Sequence, residues 1–135
     1  MPAIDNAVLA TLEKIVGAGR VLTDHDSLQR YGRDWTRVHN PNPAAVLLPD
    51  SVEQVQAIVQ VAAQEGLAIV PSGGRTGLSA GAVACNGELV LALDRLNYIA
   101  DFNPIDRTVR CGAGVVTQQL QEYAAAHDLF YPVDF

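Results

Sequence analysis

The chain has 135 residues, of which 49% are apolar and 18% are charged, a balance typical of a folded globular domain rather than of a disordered segment. Fifteen acidic residues against nine basic ones give a net charge of −6, and Lys14 is the only lysine. Because a protein that reads the nucleic-acid backbone needs a positively charged face, this composition disfavours nucleic acid as a partner. The length suits one domain with a buried core.

The two cysteines and the first residues indicate the cellular compartment. Cys85 and Cys111 lie far apart and belong to no Cys-x-x-Cys pair, which argues against a zinc site and against a disulfide framework. Residues 1–5 lack the basic start and the long apolar run of a signal peptide. No window approaches the roughly 18 apolar residues of a membrane span. We therefore expect no metal site, no membrane span and a cytoplasmic location.

Residues 1–43 are interpreted as a lead-in to a domain over residues 44–135. Near the N-terminus, apolar residues recur at helical spacing: Ile4, Val8, Leu12 and Ile15. Asp5 or Asn6 can cap this helix, and Gly17 ends it. A short helical turn through Tyr31 follows, and then irregular structure. Trp35 is interpreted as a plug over the core, with a ligand-stacking surface as the alternative. We expect His25 and His39 at the surface.

Residues 44–70 predict a strand, a helix and a second strand. Residues 44–48 form an apolar run closed by Pro49, typical of a strand that is covered on both faces. Ser51 and Gln54 have the spacing of a capping box, and Gly66 ends the helix. Residues 67–70 predict a short strand ended by Pro71. Together these segments predict a compact, parallel, right-handed βαβ unit whose second strand leads into a glycine-rich loop.

The later residues predict one more strand, a hairpin and a helix. Residues 89–93 form the strand, and residues 98–102 and 108–111 form the hairpin. Thr117 is expected to cap the last helix, which should carry three residues inward: Leu120, Tyr123 and Ala124. The apolar and aromatic ending, residues 130–135, is interpreted as a cut within a longer protein, because chain ends are usually polar.

The glycine-rich loop, residues 71–81, carries four glycines and several donors. Glycine reaches backbone angles closed to other residues and lets a ligand approach the main chain, and successive N–H groups in such a turn form a concave anion site. Three hydroxyls add donors: Ser72, Thr76 and Ser79. Arg75 adds a planar, charged fork suited to phosphate. The loop therefore predicts phosphate binding, with a plain surface turn as the alternative.

Two common phosphate-binding motifs fit the sequence poorly. The P-loop of NTPases needs a lysine after its last glycine, and no lysine lies near this loop. The dinucleotide-binding motif Gly-x-Gly-x-x-Gly is approached only by residues 112–117, where Thr117 replaces the third glycine and Asp134 lies 20 residues after Gly114. With two glycines of three, that match is weak.

A series of segments in a fixed order accompanies the loop. They are Tyr31 with Asp34, residues 43–46, residues 49–55, Leu96 with Asn97, residues 112–114 and residues 132–134. Together with the loop they resemble the FAD-binding domain shared by p-cresol methylhydroxylase, vanillyl-alcohol oxidase and the FAD-linked 2-hydroxy acid dehydrogenases. The resemblance covers most of the chain. Within this family, Gly-Gly-x-Thr-Gly-Leu is most similar to the D-lactate, glycolate and D-2-hydroxyglutarate dehydrogenases.

The resemblance implies that the loop binds the pyrophosphate of FAD. The implied cofactor-binding residues are Pro71, Ser72, Gly73, Gly74, Arg75, Thr76, Gly77, Leu78, Ser79, Gly81 and Pro132. Residues 72–78 would offer backbone and hydroxyl contacts, Ser79 and Gly81 would shape the far side of the loop, and Pro132 would begin a second FAD-contacting segment. Relatives that bond the flavin covalently through this loop carry histidine where Arg75 stands. We therefore expect FAD to be held non-covalently.

The resemblance also implies a fold and an activity. The expected fold is α+β, with a first subdomain built on a small βαβ parallel sheet flanked by helices and the start of a second, antiparallel subdomain. The implied reaction is oxidation of a 2-hydroxy acid, with hydride passing to FAD and electrons leaving to an unknown acceptor. The family's catalytic residues and metal ligands would lie beyond Phe135, so none is assigned.

Two other interpretations remain open from the sequence. One is a non-catalytic module that binds a nucleotide or another anion at this length. The other is a folded subdomain that binds no ligand by itself.

Overall fold

The computed structural model describes residues 4–133, which form four helices and six strands. The helices are α1 (Asn6–Val16), α2 (His25–Tyr31), α3 (Val52–Glu65) and α4 (Thr117–Ala125). The strands are β1 (Val21–Leu22), β2 (Ala45–Leu47), β3 (Ile69–Ser72), β4 (Leu89–Ala92), β5 (Ile99–Asn103) and β6 (Thr108–Cys111). The expected α+β class is confirmed.

Four strands form the main sheet in the order β1-β2-β4-β3. β4 pairs in parallel with β2 on one side and with β3 on the other, so that Val90 lies between Val46 and Val70. β1 pairs with β2 in the antiparallel direction. The predicted parallel relation of β2 and β3 is therefore confirmed, but the two strands are not neighbours, because β4 is inserted between them.

Every residue of β2 and β4 is buried, as expected of parallel strands that are covered on both faces. One face of the sheet packs against α1 and α3 through Leu12, Val16 and Ile58. The other face packs against α2 and the segment around Ala84. The first 43 residues thus supply side chains to both faces. The proposed boundary between residues 1–43 and 44–135 stays a prediction.

The ends of α1 and α3 follow local sequence signals. Asp5 caps α1 by accepting a hydrogen bond from the Ala7 N–H, and Gly17 ends it. Ser51 Oγ accepts from the Gln54 N–H at 3.2 Å, as predicted. The second bond of the predicted capping box differs, because Gln54 Oε1 accepts from the N–H of Asp50 at 2.9 Å.

Three local predictions are wrong. Pro71 lies inside β3 rather than ending the strand, which the sheet tolerates because β3 is an edge strand. Thr117 is the first residue of α4, whose N-cap is Val116. Trp35 does not plug the core, since it is 69% exposed.

β5 and β6 form the predicted antiparallel hairpin, which is followed by α4. α4 has no fully buried residue, and its predicted inward residues Leu120, Tyr123 and Ala124 are half-buried. Two glycines between β6 and α4 allow a close approach to the turn after β4. A Cβ on Gly112 would lie 1.9 Å from the Leu96 carbonyl oxygen, and one on Gly114 would lie 2.0 Å from that of Leu93.

Candidate functional site

The glycine-rich loop begins at the carboxyl end of β3, at the edge where parallel sheets bind ligands. Ser72, the last residue of β3, is fully buried, and its hydroxyl donates to the Tyr31 carbonyl oxygen at 3.2 Å. The Ser72 carbonyl accepts from the Leu93 N–H at 3.0 Å. Ser72 therefore anchors the base of the loop, and its hydroxyl bonds within the protein.

The Arg75 side chain turns back onto the end of β4. Its two terminal nitrogens donate to the two carboxylate oxygens of Asp94 at 2.9 and 3.2 Å, a bidentate pair. The guanidinium also lies over the Tyr31 ring, 4.9 Å from its centroid, as in a cation–π contact. The Arg75 guanidinium, which the sequence suggested as a phosphate ligand, thus pairs with a carboxylate of the same chain.

Asp34 holds the other end of the loop. One carboxylate oxygen accepts from the Ala80 N–H at 3.0 Å, and the other accepts from the hydroxyl and the N–H of Thr36 at 2.7 and 3.0 Å. These hydrogen bonds, above all that from the Thr36 hydroxyl, hold the pKa of Asp34 below its ordinary value. The neighbouring Trp35 N–H donates to the Gly77 carbonyl oxygen at 3.2 Å.

Between these anchors the main chain presents its donors outward. Within residues 4–133, no N–H group of residues 73–79 donates to a protein acceptor. A Cβ added at Gly73, Gly77 or Gly81 would meet no atom within 4 Å. The backbone of the loop is therefore open to a ligand and rich in unpaired donors, as an anion site requires.

The positive φ angles of the loop fall on other residues than the glycines. Arg75 has φ of 57° and Ala80 has φ of 61°, whereas the four loop glycines are outside the left-handed region. The expectation that these glycines supply unusual backbone angles is wrong. Their role in this structure is to leave space beside the main chain.

A cavity of about 800 Å³ lies between the loop and the start of α4. Its walls are Gly73, Gly74, Arg75 and Thr76 from the loop, Asp94 and Asn97 after β4, and residues 113–119 with Gln121. The volume is within the usual range for a small-molecule or cofactor site. The amino end of α4 also faces this space, where its dipole favours a negative charge.

The predicted site residues divide into four groups in the structure. Residues 73–76 line the cavity. Four others continue along an exposed surface: Gly77, Leu78, Ser79 and Gly81. Pro71 and Pro132 are exposed outside the lining of the cavity, and Ser72 lies beneath the loop. Asp134, which ends the series of family-like segments, lies outside the described residues.

Several cavity residues were not predicted as binding residues: Asp94, Asn97, Val115, Val116, Gln118 and Gln119. The spacing Gly112-Ala113-Gly114 before a helix was a usable signal, since it marks the close approach that brings α4 to the loop. No motif pointed to Asp94, which lies 19 residues after Arg75.

Comparison with known proteins identifies the kind of domain. Residues 43–135 match a family model described as an FAD binding domain. The chain belongs to this family. The resemblance to FAD-linked oxidoreductases is thereby confirmed, and FAD is the cofactor that the family binds.

The relatives by sequence are much longer than this chain. The chain is 55% identical over 131 residues to the D-2-hydroxyglutarate dehydrogenase of Stutzerimonas stutzeri, covering 97% of this chain and 28% of that protein. It is 32% identical over 126 residues to the mitochondrial D-2-hydroxyglutarate dehydrogenase of Rattus norvegicus, covering 93% and 23%. The chain thus spans about a quarter of the length of these curated relatives.

Solved structures confirm the fold. A p-cresol methylhydroxylase with substrate bound superposes with a TM-score of 0.76 at 24% identity, covering 92% of this chain and 25% of that one. An alkyldihydroxyacetonephosphate synthase superposes with a TM-score of 0.83 at 17% identity, covering 93% and 26%. At this identity the likeness establishes the fold alone.

The residues at the cavity fit FAD. The unpaired N–H groups of residues 73–79 and the amino end of α4 suit a pyrophosphate, and the faces of Gly73 and Gly77 give it room beside the main chain. Among the described residues, no helix is long and apolar enough to cross a membrane, and no three His, Cys, Asp or Glu side chains cluster to hold a metal ion.

Proposed function

We propose that the chain is the FAD-binding part of a flavin-dependent oxidoreductase that oxidises a 2-hydroxy acid. The observation that carries the proposal is the open, donor-rich loop opposite the amino end of α4, in a chain whose family binds FAD. The substrate class is supported by the relatives named D-2-hydroxyglutarate dehydrogenase, one of them 55% identical.

The main chain of the loop would hold the pyrophosphate. The N–H groups of residues 73–78 would donate to its oxygens, while Ser79 and Gly81 would shape the far side of the loop. Pro71 and Ser72 would fix the start of the loop rather than donate to the pyrophosphate, since proline has no N–H and the Ser72 hydroxyl already donates to Tyr31. Pro132 would approach the cofactor from the segment after α4.

The redox chemistry would be supplied by bound FAD, which accepts a hydride from the carbon that bears the hydroxyl group. The residues of this chain would bind and orient it rather than exchange protons with the substrate. No described residue is assigned a catalytic role. We also propose a reducing compartment such as the cytoplasm, on the ground that Cys85 and Cys111 are both free thiols.

We propose further that the flavin is not bonded covalently through this loop. Arg75 occupies the position at which relatives with a covalent flavin carry histidine, and a guanidinium cannot form that bond. Its guanidinium is also engaged in the ion pair with Asp94.

Acid precipitation of the purified protein in which this chain occurs tests the proposal. We expect a flavin absorbance band in the native protein and its release into the supernatant after precipitation. Flavin that stays in the pellet would refute non-covalent attachment. A protein that remains colourless after incubation with FAD would refute the function as a whole. Flavin binding without oxidation of any 2-hydroxy acid would instead support the non-catalytic module.

A further inference from the structure

Arg75 occupies a backbone conformation that an L-residue seldom adopts. Its φ is 57°, in the left-handed region where glycine is favoured, although it is flanked by Gly74 and lies two residues before Gly77. Such a conformation persists where the surrounding structure determines it. The contacts of the side chain therefore account for the presence of arginine at this position.

These contacts hold the guanidinium on three sides. Both terminal nitrogens donate to the carboxylate of Asp94, and the Tyr31 ring lies beneath the guanidinium plane. Ser72 Oγ lies 3.4 Å from one terminal nitrogen. The Arg75 side chain is only 20% exposed, and that of Asp94 is 34% exposed. A planar bidentate pair of this kind fixes direction as well as distance.

Asp94 belongs to the turn against which the other wall of the cavity packs. A side chain at Gly114 would clash with this turn: its Cβ would lie 2.0 Å from the carbonyl oxygen of Leu93 and 3.1 Å from the carbonyl carbon of Asp94. The Gly114 N–H donates to the Leu96 carbonyl oxygen at 3.0 Å. The ion pair between Arg75 and Asp94 thus connects the glycine-rich loop to the same turn that positions the start of α4.

We propose that Arg75 is a positioning residue for FAD: its ion pair with Asp94 fixes the loop so that the main-chain N–H groups meet the pyrophosphate, and its guanidinium is not the phosphate ligand. This inference rests on the proposed function. It differs from the role that the residue type alone suggests, in which the guanidinium fork binds phosphate directly.

Three variants separate the two roles: Arg75→Gln, Asp94→Asn and the double variant. If the pair positions the loop, each single variant weakens FAD binding by about tenfold, and the double variant is no weaker than either single one, because both remove the same interaction. If Arg75 binds phosphate, Asp94→Asn frees the guanidinium and leaves FAD affinity unchanged or improved. That last result overturns the proposal.

Hydrogen exchange of the loop amides without FAD provides a second measurement. We expect faster exchange of the Ala80 N–H, the loop amide that donates to Asp34 at 3.0 Å, in Arg75→Gln and in Asp94→Asn, and unchanged exchange in Arg110→Gln. Arg110 is a matched control, since it pairs with Asp101 at 3.0 Å on the exposed hairpin, where the two side chains are 71% and 60% exposed. Unchanged loop exchange in both test variants overturns the proposal whether or not FAD binds.

The two hypotheses fail separately. Wild-type protein that binds no FAD refutes the proposed function and the claim that the loop positions FAD. Hydrogen exchange still decides whether the ion pair between Arg75 and Asp94 fixes the loop. Wild-type protein that binds FAD, with variants that bind it equally well, refutes the positioning role alone.

Discussion

Gly114 and Gly77 form a matched pair that distinguishes a glycine required by packing from one required by a ligand. Neither has a φ in the left-handed region, where a side chain is disfavoured. At Gly114 the new Cβ would lie 2.0 Å from the Leu93 carbonyl oxygen and 2.9 Å from its carbonyl carbon. At Gly77 it would meet nothing within 4 Å. The same substitution should therefore affect folding at one position and cofactor binding at the other.

The magnitude follows from what must move. A Cβ at Gly114 would have to displace main-chain atoms of the turn after β4 by about 1 Å, since carbon and oxygen pack at roughly 3.3 Å or more. Overpacking costs typically 1–3 kcal/mol, and we take ~3 kcal/mol because the obstacle is backbone. For a chain of this size that lowers Tm by roughly 10 °C. Gly77→Ala should change stability by less than about 1 kcal/mol, and in the stabilising direction if at all.

Thermal unfolding without FAD, followed by titration with FAD, measures both effects. We expect Gly114→Ala to lower Tm strongly, whereas Gly77→Ala keeps Tm but weakens FAD binding, because its methyl group occupies the open face of the loop. A Gly114→Ala variant with the wild-type Tm would refute the close approach of α4 to the turn. A Gly77→Ala variant with wild-type FAD affinity would refute close contact of the cofactor at that glycine.

Two further predictions concern a carboxylate and a helix cap. The pKa of Asp34 is lowered in the folded protein, so its contribution to stability is complete above the usual value of 3.8 and is lost as the pH falls through the lowered pKa. The difference in unfolding free energy between wild type and Asp34→Asn should therefore be constant at neutral pH and narrow in acid. A difference that widens in acid would contradict the assignment. Ser51→Ala removes the acceptor for the Gln54 N–H at the start of α3 and should cost about 1 kcal/mol in urea unfolding, while exposed Ser79→Ala should cost nothing measurable.

The elements that could be predicted from the sequence are those set by local signals. The apolar runs of β2 and β4 and the caps Asp5 and Ser51 act over a few residues, so their patterns indicated the helices and strands closely. The insertion of β4 between β2 and β3 has no local signal, because strand order depends on which strands pair across the whole chain. Pro71 inside β3 was missed for the same reason, since only an edge position tolerates it.

The candidate site was predictable in its main chain but not in its side chains. The glycines of the loop marked where a ligand can approach, and the structure leaves those faces open. The side-chain contacts join residues that are distant in sequence, as in Arg75 with Asp94 and Ala80 with Asp34, and no spacing rule connects them. Residue type suggested a phosphate fork for Arg75, whereas the neighbouring carboxylate could be seen only in three dimensions.

The two carboxylates beside the loop need an explanation, because negative charges near a pyrophosphate site oppose its binding. In both cases the loop supplies a donor to the carboxylate: Asp94 pairs with Arg75, and Asp34 accepts from the Ala80 N–H. Arg75 and Ala80 are also the two loop residues with positive φ. Each strained position is thus held by its own carboxylate, and the electrostatic cost to an anion is reduced because both charges are used within the protein. A loop whose conformation is fixed before the cofactor binds loses less conformational entropy on binding. By fixing the loop, the two carboxylates therefore favour the binding of an anion.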